Sequence, residues 1–458
     1  MDWLMVALGY VLRSVPLLGA AIAALVGVWF AIAAGTRATV GAWVLAVAFV
    51  VETWFVAAPS VQMGIQLSTN DAAALLLLSG LIFRFVFLGF PGRSRELVAW
   101  VALSTLVGCS LIFGLLAYGS KAGVEARPTV YFIVAGFYFA CFHYAREDLL
   151  RLGRMFQWLA WAVAFVVAYR WLGLKLGFVS AQLVYTAGAS SEFRVVGSDP
   201  TFLLAVAGCA HVVSWLGTSR MRSLLSAVVM LGLVLLLQHR SVWVATIGAL
   251  IVIAWMNRPA VRKKALPISA LLLVGLVSAV FLVLLNPDSR IAETLSRSVL
   301  SVTEARGTHV DRLSGWIELL HGYVNGGPRV WLLGHTFGSG YERWVLGQLR
   351  EFSPHNFYVQ LLLRVGALGV VLFIWVLIAL HRRVLHVAAF GPDGERGRVA
   401  VLAALVAALL YFIPYQAFYL HGALYGVLIG ALASPAHERV HHRWAIWRSD
   451  RQGATRWA

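Results

Sequence analysis

Charge is scarce in this 458-residue chain: Asp, Glu, Lys and Arg together make up 12 % of it, about half the ~25 % of ordinary soluble domains. So little charge, beside 60 % hydrophobic residues and a mean hydropathy of +0.80, excludes a soluble globular class. Cysteine is nearly absent. Cys109, Cys141 and Cys209 stand singly within apolar runs, which excludes a disulfide framework and a thiolate metal site and leaves them as small packing residues. Acid is the scarcer charge, 20 carboxylates against 37 Lys and Arg. In a soluble chain that basic excess would raise nucleic acid or acidic partners, so its position must be fixed before it is interpreted. No small-residue cleavage site follows the first apolar run, and no removed signal peptide is expected.

What the chain has instead is apolar runs of 16 to 24 residues from end to end. Helices are the only open-ended elements that satisfy their backbone in lipid, and a span needs about 20 residues. The runs predict an all-α polytopic membrane protein with thirteen spans between residues 15 and 433, or twelve to fourteen depending on how residues 1–34 are divided. Four parts follow: N-terminal transmembrane helices to residue 285, an outside loop over 286–354, C-terminal transmembrane helices over 355–433, and a basic tail over 434–458. Basic residues mark cytoplasmic loops. Arg37, Arg93, Arg95, Arg146, Arg151, Arg154, the 220–222 and 258–264 clusters, the 382–398 cluster and the tail fall in alternate loops and carry 21 basic groups against 7 carboxylates. The tail is therefore expected in the cytoplasm and the 286–354 loop outside, its 7 arginines balanced by 7 acids. Placed there, the basic excess orients the spans and gives no reason to expect nucleic acid.

An outside loop of this length is more than a connection. Ile291, Leu295 and Val299 repeat at helical spacing, as do Leu313, Trp316, Ile317 and Leu320, which predicts two amphipathic helices lying over the span ends. NGGP at 325–328 breaks the second helix. GHTFGSG at 334–340 matches neither a phosphate loop nor a dinucleotide fingerprint and reads as a turn-rich connector. His309 and His321 on the second helix read as solvated.

Local chemistry is most informative where the loop re-enters the membrane. In SPHNFYVQLLLRVGALG, Ser353 is a good N-cap and Pro354 suits the first helical position, so His355 and Asn356 are expected in the first turn of a span. Free backbone N–H groups and the positive end of the helix dipole there disfavour imidazolium and favour a nearby anion. A neutral imidazole so placed can accept a proton from a hydroxyl, or it can simply finish a helix start. Arg194, in SSEFRVVGSDPTF, and Arg240, in the tight turn LLLQHRSVWVA, lie at span ends on the same outer side. Each either snorkels to headgroups or serves as a fixed bidentate clamp for a diphosphate. Glu52, Arg84 and Arg170 are near enough to span ends to reach the interface, whereas Arg364, roughly 13 Å beyond His355 along a helix, needs a protein partner.

Taken together, these segments resemble the O-antigen ligase and polymerase superfamily of bacterial envelope glycan assembly. The matching elements are Arg-x-x-Gly followed by Asp-Pro (Arg194, Gly197, Asp199, Pro200), an arginine-small turn opening a span (Arg240, Ser241), and Arg-x-x-x-Trp (Arg312, Trp316). Leu333, Gly334, Phe337 and Gly338 match a Leu-Gly-x-x-Phe-Gly element, and His355 and Asn356 a His-Asn helix start. Thr201 stands where the family often has Asn. The resemblance covers roughly residues 190–380 and implies a multi-pass protein of the bacterial inner membrane. It implies transfer of a glycan from undecaprenyl diphosphate to an acceptor sugar hydroxyl on the periplasmic face, inverting, with no metal and no cofactor. The acceptor is a lipid A-core in a ligase and a growing polymer in a polymerase. His355 would be the base or orienting group, Arg194 and Arg240 would bind the diphosphate, and Arg312 and Asn356 would contact substrate.

Other readings fit less well. HERVH at 437–441 is a literal HExxH, but it lies in a short basic tail with no scaffold for a third ligand. A transporter or flippase of lipid-linked glycan would show mid-span charges and an internal repeat. This chain has few of the first and none of the second.

Overall fold

The computed structural model describes residues 25–55, 60–63, 65–89, 94–179, 194–264, 308–345, 348–386 and 394–433. The run at 266–285, the first amphipathic helix expected around 291–299, and the 434–458 tail with its HERVH lie outside the described residues.

The protein is a helical membrane protein. Its helices are α1 (Leu25–Thr36), then α2 (Ala38–Trp54), α3 (Thr69–Phe87), α4 (Arg95–Tyr118), α5 (Ser120–Ala140), α6 (Arg146–Leu176), α7 (Ser198–Thr218), α8 (Met221–Leu236), α9 (Arg240–Met256) and α10 (Arg258–Lys263). After the loop come α11 (Thr308–Asn325), α12 (Gly327–Leu333), α13 (Phe357–His386), α14 (Gly394–Tyr411) and α15 (Tyr419–Leu432). Two short antiparallel hairpins interrupt the helical pattern: β1 (Ser60–Met63) with β2 (Ile65–Ser68), and β3 (Arg343–Val345) with β4 (Gln348–Arg350).

Among the described residues five helices, α3, α4, α6, α7 and α13, are long and apolar enough to cross a membrane, or six if the α1–α2 pair, bent by 117° at Arg37, is one span. Thirteen spans are thus not reached by length and apolarity. The shortfall has a physical source. Three apolar helices, α8, α9 and α15, have 17 residues or fewer, while α5 carries Lys121, Glu125 and Arg127 in its N-terminal part and α14 carries Glu395, Arg396 and Arg398 near its start.

The centre of the bundle is the α5–α15 contact. A Cβ on Gly422, Gly426 or Gly430 would meet the carbonyl oxygen of Phe132, Gly136 or Phe142 at 2.0, 2.2 and 2.3 Å, so the two backbones touch along a four-residue stripe, the small-residue packing of membrane helices. Around it Trp100, Phe132, Phe357, Phe373, Phe412 and Tyr425 form one aromatic core of tilted and edge-to-face pairs. Packing there fixes the starts of α7, α9, α13 and α15 and the end of α14 at one end of the bundle, where the loop residues also lie.

The loop is anchored to the bundle by a buried ion pair. Arg364 of α13, 2 % exposed, pairs with Glu125 of α5, bonds Ser339 and the Gly340 carbonyl, and lies 4.1 Å from the Tyr341 ring. Glu125 in turn accepts the backbone N–H groups of Gly338 and Gly340 at 3.2 and 3.3 Å. The 334–340 connector therefore wraps a charge pair, which supplies the partner Arg364 was expected to need. Gly366 follows at a φ of +68° and breaks α13. A Cβ there would come 2.2 Å from the Leu332 carbonyl oxygen, so the kink is where the end of α12 sits against α13.

Candidate active site

The segment Arg194–Val196, outside any helix or strand, enters the bundle end and is strapped from three sides. Arg170, 5 % exposed, donates to the Val195 carbonyl and, at 2.8 Å, to that of Trp54. His239 contacts the Val196 carbonyl at 2.9 Å, which requires its Nε2 to carry the proton. Arg194 itself donates to the Gln238 carbonyl at 3.0 Å. Leu237, Gln238, at a φ of +55°, and His239 are the whole turn between α8 and α9. Its tightness brings Arg240, the first residue of α9, within electrostatic reach of Arg194. Burial, and then the charge of Arg194, hold the His239 imidazole down to about 4, so it is a neutral strut at physiological pH. Both guanidinium groups are half-buried, and the Nε of each has no hydrogen-bond partner. No carboxylate pairs with either among the described residues. Two arginines held together without a counterion are costly unless an anion completes them.

A second cluster surrounds His355. The span begins three residues later than Ser353 and Pro354 suggested, because Asn356 is the better cap: its Oδ1 accepts the Val359 N–H at 2.9 Å and its carbonyl accepts that of Gln360 at 2.9 Å. His355 is therefore not in the first helical turn. It precedes the cap with a φ of +49°, a left-handed conformation uncommon outside glycine, and the turn presents its ring at the surface. Asn356 is 6 % exposed and its amide oxygen is committed to the helix, which leaves only the amide nitrogen for a substrate.

Arg312 of α11 donates to the Pro414 carbonyl at 3.1 Å and lies 5.6 Å from the Tyr415 ring. Arg343 of β3 donates to the Tyr341 and Phe352 carbonyls at 2.9 and 2.7 Å, and Phe352 approaches His355 at 5.7 Å. Trp316 fixes the turn by donating to the Pro354 carbonyl at 2.7 Å. Atoms packed on the inner side of His355 lower its pKa by desolvation, and Arg312 and Arg343 lower it further. A neutral, exposed imidazole flanked by two fixed cations can take a proton while an anion sits beside it.

Of the five residues expected at the site, four fall into two pairs, Arg194 with Arg240 and Arg312 with His355, and the fifth, Asn356, caps the helix beside His355. Between the two pairs runs a contact path. Tyr411 at the end of α14 donates to Asp199 and lies 3.0 Å from Ser198 in the first turn of α7. Its ring stacks on Tyr415 at 4.8 Å, and Tyr415 meets Arg312. Thr201 is fully buried and bonds the Gly197 carbonyl at 2.8 Å, so it closes its own helix start and faces no ligand. Arg343, His239 and Tyr411 were not singled out from sequence, and Arg170 was expected at the interface and not here. The one signal for Tyr411 was the density of aromatics in YFIPYQAFYLH at a span junction.

Beneath this end, an apolar cavity of about 770 Å³ follows α15, from Phe202, Phe418 and His421 to Arg146 and Arg396 at the opposite end of the bundle. Among the described residues no group of three or more His, Cys, Asp or Glu could hold a metal ion. The chain matches no protein-family model and no curated protein.

Proposed function

We propose that this protein is a glycosyltransferase of the bacterial inner membrane that moves an oligo- or polysaccharide from undecaprenyl diphosphate to an acceptor sugar hydroxyl on the periplasmic side, in the manner of an O-antigen ligase. One observation carries the reading: Arg194 and Arg240 lie within electrostatic reach of each other with unbonded Nε atoms, and no acid pairs with either among the described residues. Forked, permanently charged groups so arranged suit a diphosphate. The motifs at Arg194, Arg240, Arg312 and His355 and the cavity along α15, which offers an apolar course for a prenyl chain, support the same donor.

The acceptor oxygen attacks the anomeric carbon from the face opposite the diphosphate. As the new C–O bond forms, the bond from the anomeric carbon to the diphosphate oxygen breaks and its electron pair leaves with the diphosphate. Arg194 and Arg240 stabilise the charge that develops there. His355 takes the hydroxyl proton and returns it to solvent. The products are undecaprenyl diphosphate and a lengthened glycan of inverted configuration. A polymerase would share this donor chemistry and differ in the acceptor, a growing polymer in place of a lipid A-core.

The test is in the source bacterium. His355→Ala, Arg194→Ala and Arg240→Ala are each expected to abolish transfer while the protein stays folded in the membrane. Normal envelope glycan in all three strains refutes the mechanism. In a deletion strain, long polymer left on the lipid carrier indicates a ligase, and core carrying a single repeat unit indicates a polymerase.

A further inference from the structure

Beside the His355 turn lies a second cavity, of about 490 Å³, that shares no residue with the arginine pair. Its walls are the first turns of α5, the Gly340–Tyr341 stretch of the loop, the end of the β3–β4 hairpin, and the α14–α15 connection. The size lies within the ~300–1,000 Å³ of small-molecule sites. The lining is polar and of mixed sign: Lys121, Glu125, Glu351, Ser353 and Gln416 contribute to it.

Two features separate it from a structural void. Glu125 is committed to Arg364, whereas Lys121 and Glu351 are exposed and have no hydrogen-bond or ion-pair partner among the described residues. An ammonium donor, a carboxylate acceptor and an amide that does both, distributed around one cavity, form the donor–acceptor set that a neutral polyol matches and a diphosphate does not. The cavity also reaches the His355 turn through Ser353, which lines it. Gln416 donates to the Ser353 hydroxyl, and that hydroxyl accepts the backbone N–H of His355 at 3.4 Å.

We infer that this cavity binds the terminal sugars of the acceptor glycan, with Lys121 and Glu351 as its ligand-facing groups and Ser353 and Gln416 setting its border with His355. The inference rests on the glycosyl-transfer reading for the word acceptor, and on the cavity alone for the sugar. Sugars held there approach His355 from a side that leaves the arginine pair to the donor, so the two substrates need not compete for one pocket.

The experiment uses the full chain purified into lipid nanodiscs. The probe is the oligosaccharide released by mild acid from the source cells' own envelope glycolipid, and binding is followed by saturation-transfer NMR. Wild type is expected to bind it, Lys121→Ala and Glu351→Gln to bind roughly tenfold more weakly, a loss of about 1.4 kcal/mol, and His355→Ala to bind like wild type. In turnover assays the same two substitutions should raise the acceptor KM by a similar factor and leave the donor KM unmoved. Absence of binding to wild type, or equal binding by the Lys121 and Glu351 variants, overturns the inference. So does a rise in donor KM in place of acceptor KM. If wild type binds the oligosaccharide through these residues but transfers no glycan, the sugar site stands and the proposed function fails.

Discussion

Arg194 and Arg240 approach each other across the Leu237–His239 turn, each half-buried, and no acid pairs with either among the described residues. Like charges so held raise the energy of the empty protein, and an anion that bridges them relieves it. Pyrophosphate should therefore raise the melting temperature of the detergent-solubilised protein, by an amount equivalent to about 2.7 kcal/mol at a hundredfold excess over Kd. In Arg240→Gln that shift should vanish, while the melting temperature without pyrophosphate stays level or rises. An equal shift in wild type and variant rules out the pair as the anion site.

The neutral state of His355 sets an acid limit on activity. Desolvation first, and then Arg312 and Arg343, place its pKa below the ordinary 6.5, so the base is lost only as pH falls through that lowered value. A profile of kcat against pH should accordingly have its acid limb below 6.5. Arg312→Gln removes one of the two cations and should move that limb upward. An unchanged limb in the variant means another group titrates.

Cutting one partner from the Glu125–Arg364 pair leaves a buried charge unmatched. Arg364→Met or Glu125→Gln alone should cost about 3–5 kcal/mol of stability, whereas the double substitution should recover most of it. Thermal unfolding of the three variants provides the comparison. Three equal losses mean that the pair is not coupled.

Asn356 caps α13, so a side chain that can still cap should preserve it. Asn356→Asp or Asn356→Ser is expected to keep folding and transfer close to wild type, and Asn356→Ala to lose about 1 kcal/mol. Full stability in the alanine variant with transfer abolished would instead assign Asn356 to substrate.

Much of the bundle was legible because burial in lipid leaves a long, unbroken signature. The helices α3, α4, α7 and α13 follow the apolar runs closely, and α11 follows the spacing of Leu313, Trp316 and Ile317. Charged first turns were harder: α5 begins at Ser120, nine residues before its apolar run, because Glu125 and Arg127 face protein partners, Arg364 and Asp71. Arg194 and Arg240 were placed together from side and order alone, whereas the nearness of Arg312 to His355 depends on where α11 lies. Arg343 could not be placed, because one arginine in a polar loop reads as solvated until the hairpin that buries it is known. Arg170 was expected at the interface; its burial depends on the Val195 carbonyl, supplied 25 residues later in the chain.

The Glu125–Arg364 pair also bears on the order in which the chain is made. Glu125 of α5 is synthesised first, and Arg364 of α13 emerges long after it. Arginine is the side chain that stays charged in any setting. Because Arg364 comes last, it meets a partner already in place. The reverse order would leave a bare guanidinium in the bilayer throughout the synthesis of seven described helices, α6 to α12.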